Sequence, residues 1–113
     1  MIDELRTTLN IVIYTVDQLS GRPIKEGEII SVCVISAANI VKDFREHITN
    51  VLGGRMSKYE QLMQMTVDRG FEELKTKAAE LGYDGVVGVR IAHPSLVQGG
   101  VEIIVYGTAF HFQ

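Results

Sequence analysis

The stretch Glu28 to Ser36 (EIISVCVIS) constrains the fold most, because it is apolar on both parities of a β-strand. Ile30, Val32 and Val34 fall on one face, and Ile29, Cys33 and Ile35 on the other. A strand of that kind needs cover on both sides. Two later stretches share the property. Gly85 to His93 (GVVGVRIAH) puts Val87, Val89 and Ile91 on one face with Gly88 on the other. Val101 to Phe112 (VEIIVYGTAFHF) sets Ile104, Tyr106, Thr108, Phe110 and Phe112 opposite Ile103, Val105, Gly107, Ala109 and His111. With 113 residues the chain has material for one hydrophobic core, so residues 1–113 read as a single domain. Helices can cover one face of its sheet. The other face is left uncovered, and self-association is the simplest answer.

The remaining elements follow from local signals. Thr7 to Thr15 (TTLNIVIYT) is β-branched and reads as a strand. Asp17 to Gly27 gathers Ser20, Gly21, Pro23 and Gly27 and reads as a reversal of the chain. Asn39 can cap a shorter helix to about Leu52, with Ile40, Phe44, Ile48 and Val51 on one face and Gly53 as its stop. Ser57 and Glu60 form a capping box that opens a longer helix. Its apolar stripe is Tyr59, Leu62, Met63, Thr66, Gly70, Leu74, Ala78 and Leu81, and Asp68, Glu72, Glu73, Lys75, Lys77 and Glu80 form a solvated face. Gly70 in mid-stripe implies close approach by another backbone, since glycine otherwise weakens a helix. The order of strands, two helices and strands is that of an α+β domain.

Composition excludes several functions. A hydrophobic fraction of 46% with 22% charged residues fits neither a disordered chain nor an integral membrane protein. A net charge of −3 argues against bulk electrostatic binding of nucleic acid. One cysteine cannot form an internal disulfide, and the start MIDELRTTLN carries acids where a secretory leader has bases, so a cytoplasmic protein is expected with no membrane partner.

Several motifs recur in order along the chain: Thr7-Thr8, the Gly21 turn, Gly27 before the apolar strand, and VLGGRMSKYE with Gly53, Gly54, Arg55 and Tyr59. They continue in ELGYDGVVGVR with Gly82, Asp84, Val86, Val87, Gly88 and Val89, and in YGTAF with Gly107, Thr108 and Ala109. In these motifs the chain resembles the YbjQ-like family of small bacterial proteins, labelled as heavy-metal-binding. The resemblance implies a dodecin-like α+β subunit: a mainly antiparallel sheet with one long and one shorter helix on one face, assembled as a pentameric ring. Three positions depart from the family's usual pattern. Ile13 stands before Tyr14 where the family reads glycine, Tyr83-Asp84-Gly85 replaces a small Ala-Asp-Ala, and Gly70 replaces alanine.

The chemistry-bearing residues are few. Candidate metal ligands are Cys33, His47, His93 and His111, and no C-x-x-C or H-x-x-x-H pair places two of them together. Cys33, within an apolar strand, reads as a small buried hydrophobe, and His93 and His111 read as interface or surface groups. Any metal ion is therefore expected to bind weakly through histidines repeated around a ring, with no tightly held cofactor. The linker Gly53-Gly54-Arg55 before the Ser57 cap has the makings of an anion site, with free amides and a guanidinium, although two glycines also serve a plain helix-to-helix turn. The small-ligand site expected from the family motif comprises Arg55, Tyr59 and Asp84. No nucleophile with an adjacent base is present, so no catalytic residue is assigned, and an enzyme whose active site forms between subunits stands as the rival to a non-enzymatic ring that holds a ligand. Arg90 is noted as a charge that can close an intersubunit ion pair.

Overall fold

The computed structural model describes residues 10–36, 58–94 and 100–113. Four strands and one helix occur among them: β1 (Val12–Ile13), β2 (Ile24–Ser36), α1 (Lys58–Glu80), β3 (Gly85–Ala92) and β4 (Val101–Phe112). The sheet order is β1-β3-β4-β2. The β3–β4 and β4–β2 pairs are antiparallel, and β1 runs parallel to β3. The sheet is thus mixed, with one parallel pair at its edge. The shorter helix expected over Asn39–Leu52, and the Ser57 cap, lie outside the described residues.

Helix α1 packs on the sheet through a stripe at four-residue steps. Leu62, Thr66, Leu74 and Ala78 are all within 1% of complete burial, and Gly70 lies between them. Opposite them lie Val34 from β2 and Val101, Ile103, Val105 and Ala109 from β4. Gly70 is close-packed, but against side chains rather than a backbone: a β-carbon there would lie 2.7 Å from Val105 Cγ2 and 2.9 Å from Ile103 Cδ1. Within this core Thr66 Oγ1 donates to Leu62 O at 2.8 Å. Its only proton is thereby used, so the 2.8 Å contact to Ser36 Oγ is donated by Ser36.

The helix ends in a Schellman motif. Tyr83 N donates to Ala78 O at 2.9 Å and Gly82 N to Ala79 O at 3.0 Å, with Gly82 at φ 84°. Leu81, expected on the apolar stripe, falls past the last helical residue and is exposed. The same turn delivers Tyr83 to the sheet.

Both neighbours of β4 bulge beside the Gly107-Thr108-Ala109 motif. In β3 the register passes from Val87–Thr108 to Arg90–Tyr106, so Gly88 and Val89 share one position opposite Gly107. Gly88 takes φ 62°, a conformation that glycine adopts without steric cost. The bulge reverses the parity expected for this strand. Val86 and Val89, not Val87 and Val89, share the face that joins the core. In β2 the register passes from Glu26–Phe110 to Ile29–Thr108, which leaves Gly27 and Glu28 opposite Ala109. That strand also begins at Ile24, four residues before the expected start.

Of the strand expected over Thr7–Thr15, the described part contributes Val12–Ile13. Beyond Ile13 the chain still follows β3 across its bulge, through Tyr14 N to Val86 O, Val89 N to Tyr14 O and Gly88 N to Val16 O at 2.8–2.9 Å. Tyr14 then meets Phe110, ring centroids 6.4 Å apart, on the sheet face away from α1. Phe110 is fully buried. The far face therefore receives partial cover from its own chain at one end. Elsewhere on that face Ile29, Ile35 and Tyr106 are exposed.

Candidate functional site

Asp84 lies in the turn between α1 and β3, and its backbone and side chain both hold the end of β4. Its N–H donates to Phe110 O at 2.9 Å, and its Oδ2 accepts from Phe112 N at 2.8 Å. The same oxygen lies 3.9 Å from His111 Nδ1. The imidazole of His111 stacks on the Tyr83 ring, centroids 4.7 Å apart and planes 29° apart. Tyr83 in turn occupies the space above Gly27, and its hydroxyl accepts a long 3.4 Å bond from Glu28 N. From the loop before β2, the Arg22 guanidinium sits 3.5 Å above the centre of the Phe112 ring. Glycine at position 27 is what lets the phenol reach the bulged strand.

The sequence-based ligand set comes together only in part. Asp84 is half-exposed and engaged with β4. Arg55 lies outside the described residues, and Tyr59 is placed only as a backbone position in the first turn of α1. Among the metal candidates His47 lies outside the described residues. His93 follows the last residue of β3, whose Ala92 pairs with Ile104, whereas His111 is seven residues further along β4. At a strand rise of about 3.4 Å that separates them by roughly 24 Å, so one subunit cannot present both to one ion. Cys33 is exposed, which corrects its reading as a buried hydrophobe. Its parity points away from α1, on the face where Ile29 and Ile35 of the same strand are exposed as well. Among the described residues no group of three or more His, Cys, Asp and Glu side chains is placed to hold a metal ion. Arg90 Nη1 donates to Thr15 O at 2.9 Å and to Val89 O at 2.8 Å, which ties it to the backbone beyond β1.

A second feature escaped the sequence reading. A cavity of about 400 Å³ opens between α1 and the end of β1, lined by Ile13, Tyr14, Thr15 and Val89 and by Asp68, Phe71, Glu72 and Lys75 of the helix. The helical four recur at steps of three, one and three, which is one stripe of α1. That spacing was visible in the sequence. Its charged members had been assigned to a solvated face, and nothing local revealed that β1 ends beneath them.

Together the observations define a small α+β protein, a four-stranded mixed sheet with a long helix on one face. Residues 11–113 match the YbjQ family model, described as "Putative heavy-metal-binding", and the chain belongs to that family. Its relatives include a UPF0145 protein of Pseudomonas putida strain W619, 36% identical over 102 residues that cover 88% of this chain and 96% of that protein. Another is a UPF0145 protein of Clostridium novyi strain NT, 29% identical over 99 residues that cover 88% and 96%. A crystal structure of a DUF74-family protein of unknown function from Pediococcus pentosaceus superposes with a TM-score of 0.53 at 19% identity. It covers 91% of this chain and 98% of that one, and supports the fold. No helix among the described residues is long and apolar enough to cross a membrane.

Proposed function

We propose that this chain is a dodecin-like subunit of a closed cyclic homo-oligomer, most simply a pentamer, that holds a small ligand or ion at its subunit interfaces. The observation that carries the reading is the bare side of β2. Ile29 is 76% exposed and Ile35 51%, with the exposed thiol of Cys33 between them. β2 is also an edge strand. Ser31 O accepts from Lys77 Nζ at 2.8 Å instead of from β4. In an antiparallel ladder alternate residues point their backbone groups to the same side, so Ile29, Cys33 and Ile35 also turn their N–H and C=O groups outward. A long edge with apolar side chains is a template for another strand unless something covers it. A neighbouring copy supplies both the backbone partners and the apolar cover. Arg55, Tyr59 and Asp84 are the residues assigned to the ligand, on the family motif that they match. Sedimentation and native mass spectrometry at micromolar concentration test the reading: a ring with a co-purifying mass supports it, and a stable 12.5 kDa monomer overturns it.

The second reading is the metal binding in the family's description, and the exposure of Cys33 favours it. A ring would repeat that thiol in every copy, and soft ions take thiolate and imidazole ligands in sets of three or four. Elemental analysis of untagged protein decides between the readings. One ion per subunit that survives dialysis and is lost in Cys33→Ser selects metal, and its absence overturns the metal reading.

A further inference from the structure

We propose that the cavity between α1 and the end of β1 binds a small molecule with an apolar body and a cationic head, that is, an aryl- or alkyl-substituted primary amine. Asp84, assigned above to the interface, is not among the residues that line the cavity, and the lining belongs to one subunit. The cavity volume of about 400 Å³ falls within the range of small-molecule sites, roughly 300–1,000 Å³. The floor is apolar: Val89 is buried in the core, while Ile13 and Phe71 pack against that core and remain partly exposed.

The rim decides the charge of the ligand. Lys75 Nζ lies 3.3 Å from Glu72 Oε1, so among the described residues of the lining the one cation is already paired with one of the two acids. Asp68 Oδ1 accepts from Gln64 Nε2 at 2.9 Å, a neutral amide, and among the described residues Asp68 has no cationic partner. One negative charge is left at the mouth of an apolar cleft. A carboxylate ligand would meet Asp68 and Glu72 with like charge. An ammonium group satisfies Asp68 with a charge-assisted hydrogen bond while its apolar body covers Ile13 and Phe71.

The test is calorimetric titration of the full chain with 2-phenylethylamine, 3-phenylpropionate and 2-phenylethanol, with amide shifts of Ile13, Phe71 and Val89 as the site readout. The amine binds saturably, at least about tenfold tighter than the carboxylate, as one hydrogen bond to a charged group supports. Asp68→Asn, on the exposed side of α1, keeps the fold and brings the amine to the level of the alcohol. Failure of the amine to saturate, equal or tighter binding of the carboxylate, amine-induced shifts that spare Ile13, Phe71 and Val89, or indifference to Asp68→Asn overturns the proposal.

Discussion

The ring of Tyr83 fills the space that a β-carbon on Gly27 would need, with its hydroxyl oxygen 2.8 Å from that position. Two residues 56 positions apart in sequence are thereby made interdependent, because the phenol reaches Glu28 N only over a strand with no side chain at residue 27. Gly27→Ala displaces the ring and breaks its stacking on His111. The expected loss is about 1–2 kcal/mol, the lower part of the range for overpacking, since the far end of a tyrosine can swing. Urea unfolding measures it. In a double-mutant cycle with Tyr83→Ala the alanine at 27 costs little, as expected if the clash is with this ring alone.

Asp84 holds the end of β4 through Phe112 N. Asp84→Ala removes that acceptor and is expected to cost about 1–2 kcal/mol, with faster hydrogen exchange at the Phe112 amide as the local signature. Asp84→Asn keeps an oxygen in place and costs less than half as much. Equal losses in the two variants would mean that the negative charge matters more than the hydrogen bond.

Gly70→Ala sets two effects of opposite sign against each other. Alanine gains about 1 kcal/mol of helix propensity. Its methyl meets Val105 Cγ2 at 2.7 Å and Ile103 Cδ1 at 2.9 Å, and overpacking costs about 1–3 kcal/mol. Valine is stiff at χ1 and cannot turn away, so the steric term prevails. A net loss of about 1 kcal/mol in thermal or urea unfolding is expected, and a gain in stability would show that the sheet yields.

Ile29→Lys combined with Ile35→Lys places charge along the bare face of β2 and leaves the α1-facing core untouched. Ile29 is mostly exposed, Ile35 is half-exposed and neither belongs to the core cluster, so far-UV circular dichroism is expected to stay unchanged. Sedimentation is expected to fall from the ring to the 12.5 kDa subunit. An unaltered assembly would move the interface elsewhere.

The helix was legible in the sequence because its signals are local. The stripe through Leu62, Thr66, Leu74 and Ala78 repeats every turn, and Gly82 supplies the positive φ that ends it. The two-sided apolar character of β2 was equally plain, and the structure leaves Ile29 and Ile35 bare as that pattern implies. Cys33 was misread because strand parity gives the two faces without saying which one the helix covers. Val87 was placed on the wrong face because the pattern assumed an unbroken ladder, and the Gly88 bulge shifts it by one residue.

By itself, then, the sequence determined the elements whose causes lie within a few residues: the long helix and its end, the apolar strands, and the family to which the motifs belong. Only the tertiary structure decided what depends on contacts between distant segments. It set β1 parallel to β3 at the sheet edge, brought Tyr83 over Gly27, stacked His111 beside Asp84, and laid Asp68, Phe71, Glu72 and Lys75 above Ile13 as the lining of one cavity. Periodicity fixes which residues share a face. Which face meets which is settled by packing, because the free energy of burial depends on the shape that all the segments fill together.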